Sequence, residues 1–106
     1  MRSFAVSVAL AILLSMAGSA ADPKAGKIVY DKSCKSCHGA DGTPNPAIEK
    51  MLKVKMWDLK SKEVQSRTDA DLRKVNIEGE GKMKPVAGIT GPAVDDLLAY
   101  VRSLAK

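Results

Sequence analysis

The chain has 106 residues, with 17 basic and 12 acidic side chains and a formal charge of +5 at neutral pH. That length makes one domain, of a size at which an apolar core is marginal unless a disulfide, a metal or a cofactor reinforces it. Aromatic residues make up only 4% of the chain and no basic stripe is interleaved with them, which argues against a nucleic-acid binder.

The first predicted element precedes the fold. Arg2 is followed by an apolar run from Phe4 to Leu14 and then by Gly18, Ser19, Ala20 and Ala21, the layout of a secretory signal peptide. The run spans about eleven residues, short of the roughly twenty that cross a bilayer as a helix. A cleaved signal is therefore expected rather than a membrane anchor, which places the mature protein in the periplasm. Cleavage after Ala20 or after Ala21 fits the small-x-small rule equally well, leaving a domain over 22–106. Only Arg2 leaves the charge count, so 16 basic side chains face 12 acidic ones, a formal +4. The remaining aromatics are Tyr30, Trp57 and Tyr100.

Asp22-Pro23 predicts an N-cap followed by proline in the first turn of a helix that runs to Asp31 or Lys32. Gly26 and Tyr30 lie four apart on one face. The glycine admits a second helix at close range, and the last helix is the expected partner. A short helix is expected around Pro46 to Lys53. Thr68 and Asp71 make a weaker capping box ahead of D-A-D-L-R-K-V-N-I. Gly79, Gly81, Pro85, Gly88 and Gly91 then interrupt the chain. The last helix is expected from Thr90 as N-cap, with Pro92 in the first turn. Val94, Leu97, Leu98, Val101 and Leu104 recur at helical spacing, and Arg102 and Lys106 sit at the negative end of the dipole. No segment alternates with period two, so the fold class is all-α.

C-K-S-C-H-G, residues 34 to 39, contains both cysteines and the single histidine of the chain. Exported cysteine pairs ordinarily form disulfides, but one between Cys34 and Cys37 would close a tiny loop and stabilise little. A thioredoxin-like dithiol needs a βαβ context, which is missing here. Structural zinc takes four ligands, so a carboxylate would have to join Cys34, Cys37 and His38. C-x-x-C-H is also the pattern of c-type haem attachment. Cysteines at i and i+3 on a helical turn can add to the two vinyl groups of one porphyrin, and histidine at i+4 shares that face and can reach the iron. Export and spacing favour haem.

With His38 on one face of the iron, the other face is open to Met51, Met56 or Met83. Met51 and Met56 read as core fillers. Met83 lies 45 residues beyond the histidine in G-E-G-K-M-K-P, a glycine-interrupted loop ending in proline. That separation lets the chain pass the ring edge and return on the opposite face. A thioether ligand favours ferrous iron and raises the reduction potential.

Taken together, Gly26-x-x-x-Tyr30, C-K-S-C-H at 34 to 38, N-P-A-I at 45 to 48, G-K-M-K-P at 81 to 85 and L-L-A-Y-V-R-S-L at 97 to 104 resemble a small bacterial class I, monohaem c-type cytochrome over the whole mature length. The resemblance implies a fold of three to five short helices around one covalently bound haem c, with the N- and C-terminal helices crossing at Gly26, Tyr30, Leu97 and Tyr100. It implies thioether bonds at Cys34 and Cys37, and His38 and Met83 as axial ligands. It also implies a proline carbonyl that orients the imidazole, with Pro46 matching better than Pro44. Trp57 matches a tryptophan that donates to a haem propionate in related proteins; equally, it is a core residue.

With both axial positions filled, the expected function is that of a diffusible electron carrier and not an enzyme. The alternative is a small haem enzyme or gas sensor whose distal face opens on loss of Met83. Lys35, Lys53, Lys55, Lys82 and Lys84 are expected either to form a basic rim that steers acidic redox partners or simply to maintain solubility.

Overall fold

A computed structural model describes residues 21–89 and 91–105. The signal-peptide reading therefore falls on residues outside the described part, as do Thr90 and Lys106. Among the described residues six helices follow one another: α1 (Pro23–Ser33), α2 (Lys35–His38), α3 (Pro46–Leu52), α4 (Lys62–Gln65), α5 (Asp69–Glu78) and α6 (Pro92–Ser103). Among the described residues no strand forms, and the sole β-bridge joins Glu80 to Met83. The all-α expectation holds. Two single-turn helices, α2 and α4, bring the count to six.

The start of α1 follows from its residues. The Asp22 side chain accepts from the Lys24 amide at 2.9 Å, and Pro23 occupies N1. The amide of Asp22 itself donates to Asp96 Oδ1 at 2.8 Å, which pins the beginning of α1 to α6. One turn on, a Cβ placed on Gly26 would stand 1.8 Å from the Asp96 carbonyl oxygen. Only a hydrogen fits, and α1 packs against the backbone of α6 for that reason. Beside the crossing, Tyr30 and Tyr100 stack with ring centroids 5.0 Å apart and planes tilted by 58°.

Along α6, Val94, Leu97, Leu98 and Val101 are buried and Leu104 packs against them, the stripe expected from their spacing. The helix starts at Pro92 behind Gly91, which adopts φ +52° and has no side chain to cap with. At its other end Arg102 does more than meet the helix dipole. Its guanidinium donates to the Gln65 carbonyl at 2.8 Å, the Arg67 carbonyl at 2.6 Å and Asp69 Oδ1 at 2.8 Å. Gln65 Nε2 answers by donating to the Val101 carbonyl at 3.0 Å. The junction of α4 and α5 is thus fastened to the C-terminal helix through backbone carbonyls.

Helix α4 was not legible in S-K-E-V-Q: it buries a single apolar residue, Val64, and is held by Ser61 at its N-cap. At the head of α5, Thr68 Oγ1 accepts from the Asp71 amide at 3.1 Å. The box is not reciprocal, because the Asp71 carboxylate turns to Arg67 Nε at 2.5 Å. Helix α3 spans the expected residues but has no buried side chain. Met51, expected as a core filler, is 67% exposed there.

Candidate functional site

The C-terminal carbonyl of α1 at Tyr30 accepts from the Cys34 amide at 2.8 Å, so the first cysteine ends one helix and caps the next. The Cys34 carbonyl then accepts from the His38 amide at 2.9 Å, closing one helical turn over Cys34 to His38. The chain leaves this turn through Gly39 at φ +71°, where a Cβ would meet the Thr43 carbonyl oxygen at 2.3 Å. The tyrosines of the crossing hold this exit. Tyr30 Oη donates to the Gly39 carbonyl at 2.6 Å, and Tyr100 Oη to that of Ala40 at 3.5 Å. Burial, followed by the field of Cys34, pushes the Tyr30 phenol well above its ordinary range, so it remains a donor. The return path is set by Asn45, whose amide donates to the Cys37 carbonyl at 2.9 Å and whose Nδ2 donates to the Ser36 carbonyl at 3.1 Å.

A largely apolar cleft opens beside this turn. Cys34, His38, Trp57 and Met83 all line it, together with Tyr30, Leu72, Leu97 and Leu98. Residues far apart in sequence thus face one largely apolar space. Cys37 is half-buried, and Pro46 heads α3 exposed to solvent; neither side chain lines the cleft. Trp57 is 57% exposed, so it stands at the mouth and is not a core residue.

Met83 is presented by a tight turn. The Glu80 amide donates to the Met83 carbonyl at 2.9 Å and the Met83 amide to the Glu80 carbonyl at 2.8 Å. Gly79, at φ +81°, lies under the turn where a Cβ would meet the Met83 carbonyl oxygen at 2.5 Å. After the turn, the Val86 amide returns to α5 through the Asn76 carbonyl at 2.9 Å. Two charged residues that sequence reading missed, Arg67 and Glu80, also line the cleft. They are 13 apart in the chain, on either side of α5, so no local spacing signals their pairing.

The chemistry of the donor set separates the rival readings. Burial, and after it the neighbouring Cys37, pushes the Cys34 thiol up to about 11, the opposite of the depressed thiol a dithiol oxidoreductase uses. Among the described residues no three His, Cys, Asp or Glu side chains converge as metal-ion ligands, so no carboxylate joins Cys34, Cys37 and His38 there. Desolvation lowers the His38 imidazole below its ordinary value, leaving it neutral at pH 7 as a metal ligand must be. His38 Nδ1 is buried with no hydrogen-bond partner, from the Pro46 carbonyl or any other group among the described residues. An apolar cleft, two free cysteines on one turn and a neutral imidazole with an orphaned nitrogen fit a covalently attached haem.

Known proteins agree. The family model described as Cytochrome c matches residues 23–105. Cytochrome c-554(547) of Halothiobacillus neapolitanus is 33% identical over 90 residues, covering 80% of this chain and 99% of the relative. Among solved structures, the KustC0563 c-type cytochrome superposes with a TM-score of 0.65 at 28% identity, covering 76% of this chain and 98% of the other. Since the family match runs from α1 through the cleft residues to α6, and since the cleft suits the cofactor it implies, the chain belongs to the cytochrome c family, as a small haem c protein of electron transfer.

Proposed function

We propose that the protein is an exported, diffusible one-electron carrier, with Cys34 and Cys37 holding haem c by thioether bonds and His38 and Met83 as its axial ligands. The observation that carries this reading is that His38 and Met83, 45 residues apart in the chain, line the same cleft. When bound, the haem supplies an iron that alternates between ferrous and ferric. The chain's own residues do the rest. His38, kept neutral by desolvation, offers a strong donor on one side, and Met83 offers a thioether that favours the ferrous state on the other. Leu72, Leu97, Leu98 and Val101 keep water from the interior of the cleft. With His38 and Met83 both holding the iron, the loaded protein would offer it no position for a substrate.

Three further assignments belong to this reading. Pro46 is proposed as the carbonyl that receives the orphaned His38 Nδ1 proton in the loaded protein, since its neighbour Asn45 is tied to the motif by two hydrogen bonds. Trp57, at the mouth, is proposed to donate its indole N–H to a carboxylate of the cofactor. Export is supported by the layout of residues 1–21, and cleavage after Ala20 or Ala21 leaves the Asp22 cap of α1 in place. Among the described residues no helix is long and apolar enough to cross a membrane.

The test is an absorption spectrum of the mature ferric protein, with its intact mass and a redox titration. A low-spin haem retained after acid extraction is expected, with a methionine–iron(III) charge-transfer band that Met83→Ala removes. Trp57→Phe should shift the potential, and the mass should begin at Ala21 or Asp22. A high-spin ferric spectrum with rapid carbon monoxide binding on reduction would replace the carrier with the enzyme or sensor alternative.

A further inference from the structure

Arg67 sits between α4 and α5 with its side chain three-quarters buried at the cleft wall. Nη1 donates to Glu80 Oε2 at 3.1 Å and Nη2 to Glu80 Oε1 at 2.9 Å, a two-pronged contact that fixes both the distance and the plane of the carboxylate. Nε simultaneously donates to Asp71 Oδ2 at 2.5 Å, so the fork itself cannot swing. The backbone of Arg67 is held too, because its carbonyl accepts from Arg102 Nη2 at 2.6 Å. At the receiving end, Glu80 exchanges two backbone hydrogen bonds with Met83, and Gly79 packs beneath the Met83 carbonyl with no room for a Cβ. A continuous polar strap therefore runs from α6 through the α4–α5 junction to the methionine turn.

We propose that Arg67 is a positioning residue for Met83, acting through Glu80: the guanidinium fork sets the orientation of the turn that presents the thioether. The proposal rests on Met83 being the distal ligand. Pairs of this kind, partly buried and two-pronged, hold more firmly than single contacts on an open surface. The strap resists displacement of Met83 from the cleft by an exogenous ligand, because such a ligand can enter only when the turn swings away and the fork opens.

The test uses the full haem-loaded protein in the ferric state. Imidazole competes with a methionine ligand, so its dissociation constant reads how firmly Met83 is held. The urea midpoint of each variant reads global stability independently. Glu80→Gln and Arg67→Lys should bind imidazole at least about fivefold more tightly than wild type, the order expected for losing such a pair. Asp95→Asn breaks the Arg73–Asp95 pair, which joins α5 to α6 away from the methionine turn. It should leave imidazole binding within about twofold of wild type. If imidazole binding to Glu80→Gln and Arg67→Lys stays within twofold of wild type, the proposal is overturned. It is also overturned if Asp95→Asn tightens imidazole equally for the same change in urea midpoint, which would make the effect general loosening. A response of Arg67→Lys with Glu80→Gln silent overturns the route through Glu80. Should Arg67→Lys fail to fold, the near-isosteric Glu80→Gln, whose carboxylate is half exposed, decides alone. A wild-type spectrum without the charge-transfer band and unchanged by Met83→Ala would instead bring down the distal-ligand reading on which this stands.

Discussion

Single residues govern how the chain turns away from the C-x-x-C-H turn. Asp41 accepts from the Thr43 amide at 3.0 Å and faces Lys60 Nζ at 3.5 Å. Lys60 also reaches Thr43 Oγ1 and stands 3.4 Å from Asp58. The Thr43 amide first, its hydroxyl next and then Lys60 hold the Asp41 carboxyl down to about 2, against an ordinary value near 3.9. Because the folded value lies below the unfolded one, the contribution of Asp41 to stability is fully present above about pH 4 and lost as pH falls toward 2. A carbon-13 titration of Asp41 in the reduced protein should find it still ionised at pH 3. A midpoint near 4 would mean that the Asp41–Thr43 turn does not persist in solution. Asp41 is exposed, so this is a local clasp and not a main source of stability.

At the scale of elements, the α1–α6 crossing sets the frame on which the motif turn is hung. Gly26→Ala would drive a methyl group into the Asp96 carbonyl, a backbone atom that cannot rotate aside. Overpacking of this kind costs about 1–3 kcal/mol, and the rigid partner puts it at or above the upper end; better helix propensity returns about 1 kcal/mol. A net loss of about 2 kcal/mol is expected, read as a lower urea midpoint with an unchanged slope. A midpoint equal to or above wild type would show that the helices cross farther apart. Because Tyr30 and Tyr100 reach from this crossing to the Gly39 and Ala40 carbonyls, Gly26→Ala should also disturb the haem spectrum.

For the whole molecule, the cofactor site and the core are nearly the same thing. Among the described residues nine apolar side chains are buried, and seven of them also line the cleft: Tyr30, Cys34, Val64, Leu72, Leu97, Leu98 and Val101. A domain this small closes its core around the ring and not beside it. The charge field acts at the same scale. Lys35, Lys53, Lys55, Lys82 and Lys84 are all exposed, and among the described residues none of them is in an ion pair, as both the docking rim and the solubility role require. Electron exchange with an anionic iron–cyanide complex should slow as salt is added. At low salt, Lys82→Glu with Lys84→Glu should lower the rate about threefold to tenfold. Reversing Lys24 and Lys32 on α1 should do less. A rate independent of salt would reduce these lysines to a solubility role.

Much of the protein is local and could be read from the chain. Caps at Asp22 and Thr68, prolines at the starts of three helices, the α6 stripe and the C-x-x-C-H turn all depend on residues within one or two turns of each other. Cofactor chemistry and fold class followed from them. The exposure of Met51 and Trp57, the single-turn α4, the Tyr30 hydroxyl at the motif exit and the Arg102–Arg67–Glu80–Met83 strap were decided only by tertiary structure. The Tyr30–Gly39, Arg67–Glu80 and Arg102–Gln65 partners lie 9 to 37 residues apart in sequence, and a spacing of that length carries no period. Such groups meet because packing of α1 against α6 brings them within reach, and at that range geometry in space selects the pair.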